Sequence, residues 1–171
     1  AASDVYKRQS IDKVLVYEAT YLDNRFHIVL TPGEWAFHML EAWTTGSLWS
    51  VKGRILGDWE DLKPRTKYAN RVTGAYYAAR LGVLEHLDLI GKSGACLVWR
   101  DIGEGYWAPV GVWLIRETVR EAMKQTPRQF DSLEDALRHL NPRVSAPDDL
   151  NKSWFVNRPQ RNMLWQTRLD S

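Results

Sequence analysis

Two short stretches of the chain hold the residue types that polar chemistry needs. In Arg100-Asp101-Ile102-Gly103-Glu104-Gly105-Tyr106-Trp107 an apolar run opens into glycines that let the backbone turn. Loops at strand ends are where binding residues collect. In the second stretch, Trp113, Arg116 and Arg120 are spaced three and four residues apart, so on a helix they share a face, with Glu117 beside them. Arginine holds phosphates in a bidentate fork and aromatic rings stack on bases. Arg100, Glu104, Tyr106, Arg116 and Glu117 are therefore the candidate residues of a nucleic-acid or nucleotide pocket, and candidate catalytic residues if they converge on one cleft. The plainer reading of the same residues is a solvated ion-pair face around Arg116 and a loop anchored on the core by Tyr106 and Trp107.

Other chemistry finds less support. None of His27, His38, His86 and His139 has a second histidine four residues on, and Cys96 is the single cysteine, so no set of metal ligands is spaced along the chain. Cys96 lies in an apolar run, where burial raises a thiol pKa and favours a packing role. The chain carries no GxGxxG, P-loop or GxSxG pattern. A lone cysteine excludes an internal disulfide and fits a reducing cytoplasm. The charge balance, 23 Lys and Arg against 21 Asp and Glu, gives +2, too little for a strong polyanion field. No apolar run approaches the roughly 20 residues of a membrane helix, so no membrane association is expected. Twelve per cent of the 171 residues are aromatic, which is heavy for one domain and leaves rings for the surface.

The elements that must position these residues follow from the hydrophobic pattern. Ile11 to Ala19 and Asn24 to Leu30 are β-rich runs, and the intervening Thr20-Tyr21-Leu22-Asp23-Asn24 supplies the Asp and Asn that favour a turn, which predicts two paired strands. Trp35, Met39 and Ala42 are about one turn apart, predicting a short helix over Glu34 to Trp43. Gly46 to Lys67 is turn-rich and reads as loop, with small strands at Leu48-Trp49 and Arg54-Ile55-Leu56. The strongest helical period runs from Arg71 to Ile90 through Tyr77, Leu81, Leu84 and Leu87 or Asp88, and Gly91 stops it. Ala95 to Trp99 is apolar on both parities, as a buried strand must be. Val110 to Lys124 reads as a second amphipathic helix, and Ser132 caps a third over Leu133 to Leu140, ended by Asn141-Pro142. The fold class is thus α+β: a small, mainly antiparallel sheet covered by two or three helices, with an extended C-terminal tail.

Three segments, YLDNRFHIVLTPGEW (Tyr21 to Trp35), GAYYAARLGVLEHL (Gly74 to Leu87) and VWRDIGEGYWAPVGVWLIRETVREAM (Val98 to Met123), together resemble the C-terminal region of the archaeal Nre proteins. The likeness runs from Ile11 to about Met123. It implies an archaeal DNA-repair protein acting in the DNA-damage response, with the sliding clamp PCNA and DNA as partners. Some members carry an N-terminal Cys-rich zinc motif, so any zinc is expected upstream of Ser10 and no cofactor within this stretch. The resemblance carries over no catalytic residue set. An enzyme acting on DNA or a nucleotide through the Arg, Glu and Tyr candidates is the alternative.

The tail takes its meaning from this resemblance. Clamp-binding peptides similar to those of Nre proteins run Gln, two residues, an aliphatic, two residues, then two aromatics, brought to one face by a helical turn. Gln166-Thr167-Arg168-Leu169-Asp170-Ser171 matches six of those eight positions, with Gln166 and Leu169 as the clamp-binding residues. At the other end, Ala1 to Gln9 resembles a translated sequencing adapter and is expected to be a scar. The expected organisation is a scar over 1–9, an α+β domain over 10–141 and a tail over 142–171.

Overall fold

The computed structural model describes residues 8–43, 54–63, 65–104 and 111–159. Strands β1 (Val14–Tyr21) and β2 (Asn24–Thr31) form a hairpin in which Tyr21 pairs with Asn24. Leu22 and Asp23 between them both have positive φ, 43° and 60°, the pair of left-handed conformations whose twist suits a two-residue hairpin. Next come β3 (Phe37–Trp43), β4 (Arg54–Glu60), helix α1 (Thr73–Ile90) and β5 (Ala95–Ile102). They are followed by α2 (Val112–Met123), β6 (Arg128–Phe130), α3 (Leu133–Leu140), α4 (Pro147–Asn151) and α5 (Trp154–Asn157).

The six strands make one sheet in the order β4-β3-β5-β2-β1-β6, antiparallel except for the pair β3 and β5. Strand β5 lies at its centre, between β2 and β3, and all eight of its residues are buried. Helices cover both faces. Phe26, Ile28, Phe37, Met39, Cys96 and Val98 pack under α1 and α2, against Tyr76, Val83, Leu87 and Val119. Val16, Val29, Leu40, Leu97 and Trp99 point the other way, onto Ala136, Leu140, Leu150 and Phe155. Removing one of the fully buried rings, Phe37 or Phe155, costs about 3–5 kcal/mol by the usual transfer and cavity terms. The α+β class and the mainly antiparallel sheet are as expected.

Four details differ from the sequence pattern, each for a physical reason. Residues 37–43 form a strand, not a helix: β3 is covered on both faces, so its apolar residues need not alternate, and their spacing imitates a helical turn. Residues 54–60 form β4, where the pattern read loop beyond Leu56. On α1 the buried face joins Tyr76, Val83 and Leu87 to the small residues Ala75, Ala78, Ala79 and Gly82, while Leu81, expected on it, is 42% exposed. Small residues there let α2 approach: a Cβ at Gly82 would stand 2.8 Å from Val119 Cγ1. The stretch expected to be tail opens with α4 and α5, whose Leu150 and Phe155 are fully buried, so through Asn157 the chain belongs to the second core.

The caps follow the sequence. Gly91 (φ 65°) ends α1 in the left-handed region, its N–H donating to Asp88 and that of Lys92 to Leu87. Ser132 Oγ accepts from Asp135 N at the start of α3. At the N-terminal side, the Gln9 carbonyl accepts from Ser93 N, and Arg8 pairs with Asp88.

Candidate functional site

The residues singled out from the sequence fall into separate environments. Arg100 sits on β5 under α1 and α2, 4% exposed, beside Glu41 of β3, 6% exposed. Its Nη1 donates to Glu41 Oε1 at 3.0 Å and its Nε to Asn24 Oδ1 at 2.9 Å, while the guanidinium lies 5.7 Å over the Phe26 ring. The Trp43 side chain also hydrogen-bonds Glu41. Burial pushes the Glu41 carboxyl above the usual carboxylate range, and the Arg100 charge opposes the shift. This is an internal polar cluster at the carboxyl ends of the parallel pair. A phosphate reaching Arg100 would have to displace Glu41.

Glu104 is exposed just past β5, and Tyr106 lies outside the described residues. Arg116 and Glu117 are on α2 at its seam with α1. There Arg120 forks onto Glu85 of α1, both contacts at 2.7 Å, and also holds Glu117 at 2.6 Å. That pairing keeps the Glu85 carboxyl below its usual range. Arg116 Nε lies 3.9 Å from Glu117 Oε1 and has no hydrogen-bond partner among the described residues. Arg100 is thus an internal structural cation, and the Arg116 and Arg120 face binds α1 to α2. Gln166 and Leu169 are outside the described residues.

The histidines are divided likewise. His86 Nε2 meets the Tyr17 hydroxyl at 3.1 Å, and His27 and His139 lie 3.5 and 3.4 Å from Glu18 Oε1. Among the described residues no group of three or more His, Cys, Asp or Glu is placed to hold a metal ion. Among the described residues no helix is long and apolar enough to cross a membrane.

A different surface gathers binding chemistry. Beside the edge strand β4, residues of the segments 61–63 and 65–71 border a groove of roughly 780 Å3. His38, Gly57 and Trp59 form one wall, and Lys63, Arg65, Lys67 and Arg71 approach from these segments. Trp59 is 44% exposed, yet its ring stacks on Trp154 of α5 with centroids 4.1 Å apart and planes at 14°. Trp154 in turn meets His38 edge to face at 5.8 Å. Gly57 keeps the wall low: a Cβ there would stand 2.6 Å from Leu40 Cδ2 and 3.0 Å from His38 Nε2. Burial pushes the His38 pKa down to about 4, and its Nδ1 is buried with no hydrogen-bond partner among the described residues.

The acidic residues of the groove are already engaged. Asp58 accepts from the N–H groups of Arg71 and Val72 at 2.9 and 2.8 Å and faces Arg65 at 3.6 Å. Glu60 accepts from Trp35 Nε1, Tyr76 Oη and Arg80 Nε; burial, and then the Glu60 charge, push the Tyr76 hydroxyl pKa upward. Asp61 accepts from Lys63 N. Sequence reasoning missed this surface because it read Gly46 to Lys67 as loop. The signal was present in Trp59 followed by Lys63, Arg65, Lys67 and Arg71, an aromatic interleaved with cations.

Comparison with known proteins places the chain. A family model described as the N-terminal part of archaeal Nre matches residues 1–50, and one described as its C-terminal part matches residues 60–171. The chain is 41% identical over 145 residues to the DNA repair protein NreA of Archaeoglobus fulgidus, covering 84% of this chain and 36% of that protein. It is 39% identical over 136 residues to the NreA of Haloferax volcanii (77% and 32%), and 33% identical over 167 residues to the DNA repair protein NreB of Archaeoglobus fulgidus (95% and 42%). The chain therefore spans about a third to two-fifths of the length of these relatives. No solved structure matches it.

Proposed function

Because the chain belongs to the archaeal Nre family, we propose that it serves DNA repair in the DNA-damage response, as the names of its relatives NreA and NreB indicate for those proteins. In this reading the folded domain contacts DNA, and the segment after Pro159 tethers it to the PCNA sliding clamp through Gln166 and Leu169. The observation that carries it is the Gln166-x-x-Leu169 spacing in a chain of this family. Such a peptide places its glutamine in a polar pocket and its aliphatic in an apolar one, a few anchors supplying most of the binding energy. The site of action is the cytoplasm, where archaeal DNA lies.

The alternative, an enzyme working through Arg100, Glu104, Tyr106, Arg116 and Glu117, gains nothing from Arg100, whose guanidinium is engaged with Glu41 and Asn24. The tether is tested by calorimetric titration of an archaeal clamp with the chain carrying two phenylalanines after Ser171. Saturable binding that disappears in Gln166→Ala with Leu169→Ala is expected. No saturable binding, or binding indifferent to those substitutions, removes the tether from the proposal.

A further inference from the structure

Trp59 is held in an unusual state for an exposed ring. One of its faces is fixed against Trp154, which His38 steadies from the side, while the ring as a whole remains 44% exposed over the groove. A ring already immobilised loses little conformational freedom when a planar partner stacks on it. Around it, the carboxylates Asp58, Glu60 and Asp61 are occupied by backbone N–H groups, Tyr76, Arg80 and Trp35. Lys63, Lys67 and Arg71 have no acidic side chain paired with them among the described residues. The carboxylates keep their charge, so the groove lining, Lys63, Arg65, Lys67 and Arg71 against Asp58, Glu60 and Asp61, carries a net charge of +1, with Lys63, Lys67 and Arg71 exposed. At roughly 780 Å3 the groove is within the usual range of small-ligand pockets, about 300–1,000 Å3, and is open to solvent along the strand.

We infer that this groove is a single-stranded DNA subsite, in which a base stacks on the free face of Trp59 and Lys63, Lys67 and Arg71 meet the flanking phosphates. The inference rests on the DNA-repair reading for the choice of DNA and on this geometry for the place and the strandedness. A duplex keeps its bases stacked on one another and offers a flat ring no partner, whereas an unpaired strand offers every base face. Cations without internal partners release counterions on meeting phosphates, which ties the affinity to salt. The preference is for unpaired structure over sequence, because stacking on a π-face and contacts to phosphates accept any base.

The test is fluorescence anisotropy of the full chain with a labelled 12-nucleotide oligothymidylate, the matching duplex and the oligouridylate, at two salt concentrations. Single-stranded DNA is expected to bind at least tenfold tighter than duplex and no weaker than RNA, and to quench tryptophan emission. Trp59→Ala should weaken it about tenfold, within the range of a lost base stack, while Trp59→Phe keeps most of the affinity. Lys63→Gln with Lys67→Gln, whose side chains are exposed and have no hydrogen bond or ion pair among the described residues, should weaken binding and flatten the salt slope by about 1.4, two phosphate contacts on a single strand. Binding unchanged in both the Trp59 and the lysine variants, with melting temperatures preserved, overturns the groove and leaves DNA contact elsewhere on the domain. Duplex or RNA bound more tightly overturns the single-stranded DNA assignment. Absence of any nucleic-acid binding by a folded chain overturns both this inference and the DNA-contact part of the proposed function, leaving the clamp tether to its own test.

Discussion

Replacing Arg100 with methionine keeps most of the aliphatic volume and removes the charge, which leaves Glu41 buried beside an apolar side chain. Breaking a buried ion pair from one side costs about 3–5 kcal/mol, because the remaining charge keeps its desolvation penalty. With a urea slope of roughly 2 kcal/mol/M for a domain of this size, the unfolding midpoint should fall by about 2 M. The pH dependence gives the argument a second handle. Glu41 has a folded-state pKa raised by burial, so its contribution to stability is complete below the unfolded carboxyl value of about 4.3 and is lost as the pH rises through the folded value. Without Arg100 that folded value rises further, and the deficit of the variant against wild type should shrink between pH 7.5 and 5. Adding Glu41→Leu should recover most of the loss, apart from the donor that Asn24 Oδ1 no longer receives. Urea titrations followed by tryptophan fluorescence at both pH values decide it. A single variant within 1 kcal/mol of wild type at pH 7.5, or a deficit that grows as the pH is lowered, refutes the account of Arg100 as an internal counter-charge.

Three further outcomes follow from the packing. His38, neutral in the fold with a pKa near 4, stabilises fully above the unfolded value of about 6.5 and loses that stability as the pH falls through the folded value; the term is about 3 kcal/mol, and His38→Phe should flatten the acid limb of a stability profile. Gly82→Ala should lower the melting temperature despite the better helix propensity of alanine, because its Cβ meets the stiff Val119 side chain; an unchanged or higher melting temperature would show that α2 yields freely. Ser132→Ala should cost about 1 kcal/mol through the lost cap of α3, measured by urea titration, and Ser132→Asp should restore it.

How much of this was readable in the sequence depended on what surrounds each segment. The β1-β2 hairpin, α1, β5, α2 and α3 were legible because each carries its own signal: a turn dipeptide, a glycine stop, an apolar run or a capping serine. Strand β3 was not, since a strand covered on both faces loses the alternation that identifies it and Trp35, Met39 and Ala42 then mimic a helix. The misplacement of Leu81 on α1 has a related cause. Hydrophobic size drew attention to Leu81 and Leu84, whereas close helix packing selected Ala78, Ala79 and Gly82, which carry little hydropathy. For the site, Arg100 was noticed for its chemistry, but its partner Glu41 sits 59 residues away on a segment expected to be helical, so its internal role was invisible. The groove was missed for the same reason: Trp59 and Trp154 are brought together by β4 and α5, and neither element was anticipated in full.

The placement of β5 between β2 and β3 has a consequence for the order in which the chain can acquire structure. The regions matched by the two Nre models, 1–50 and 60–171, meet inside one sheet, and the central strand of that sheet comes from the second region. While the chain is being synthesised at about 5–20 residues per second, the hairpin and β3 have no common neighbour until residue 102 has emerged. For several seconds their inner edges are open, and long-range pairing of this kind is intrinsically slow. In this chain the boundary between the two matched regions is therefore not a boundary between folding units: a chain that stops there has its hairpin but lacks the strand that joins it to β3.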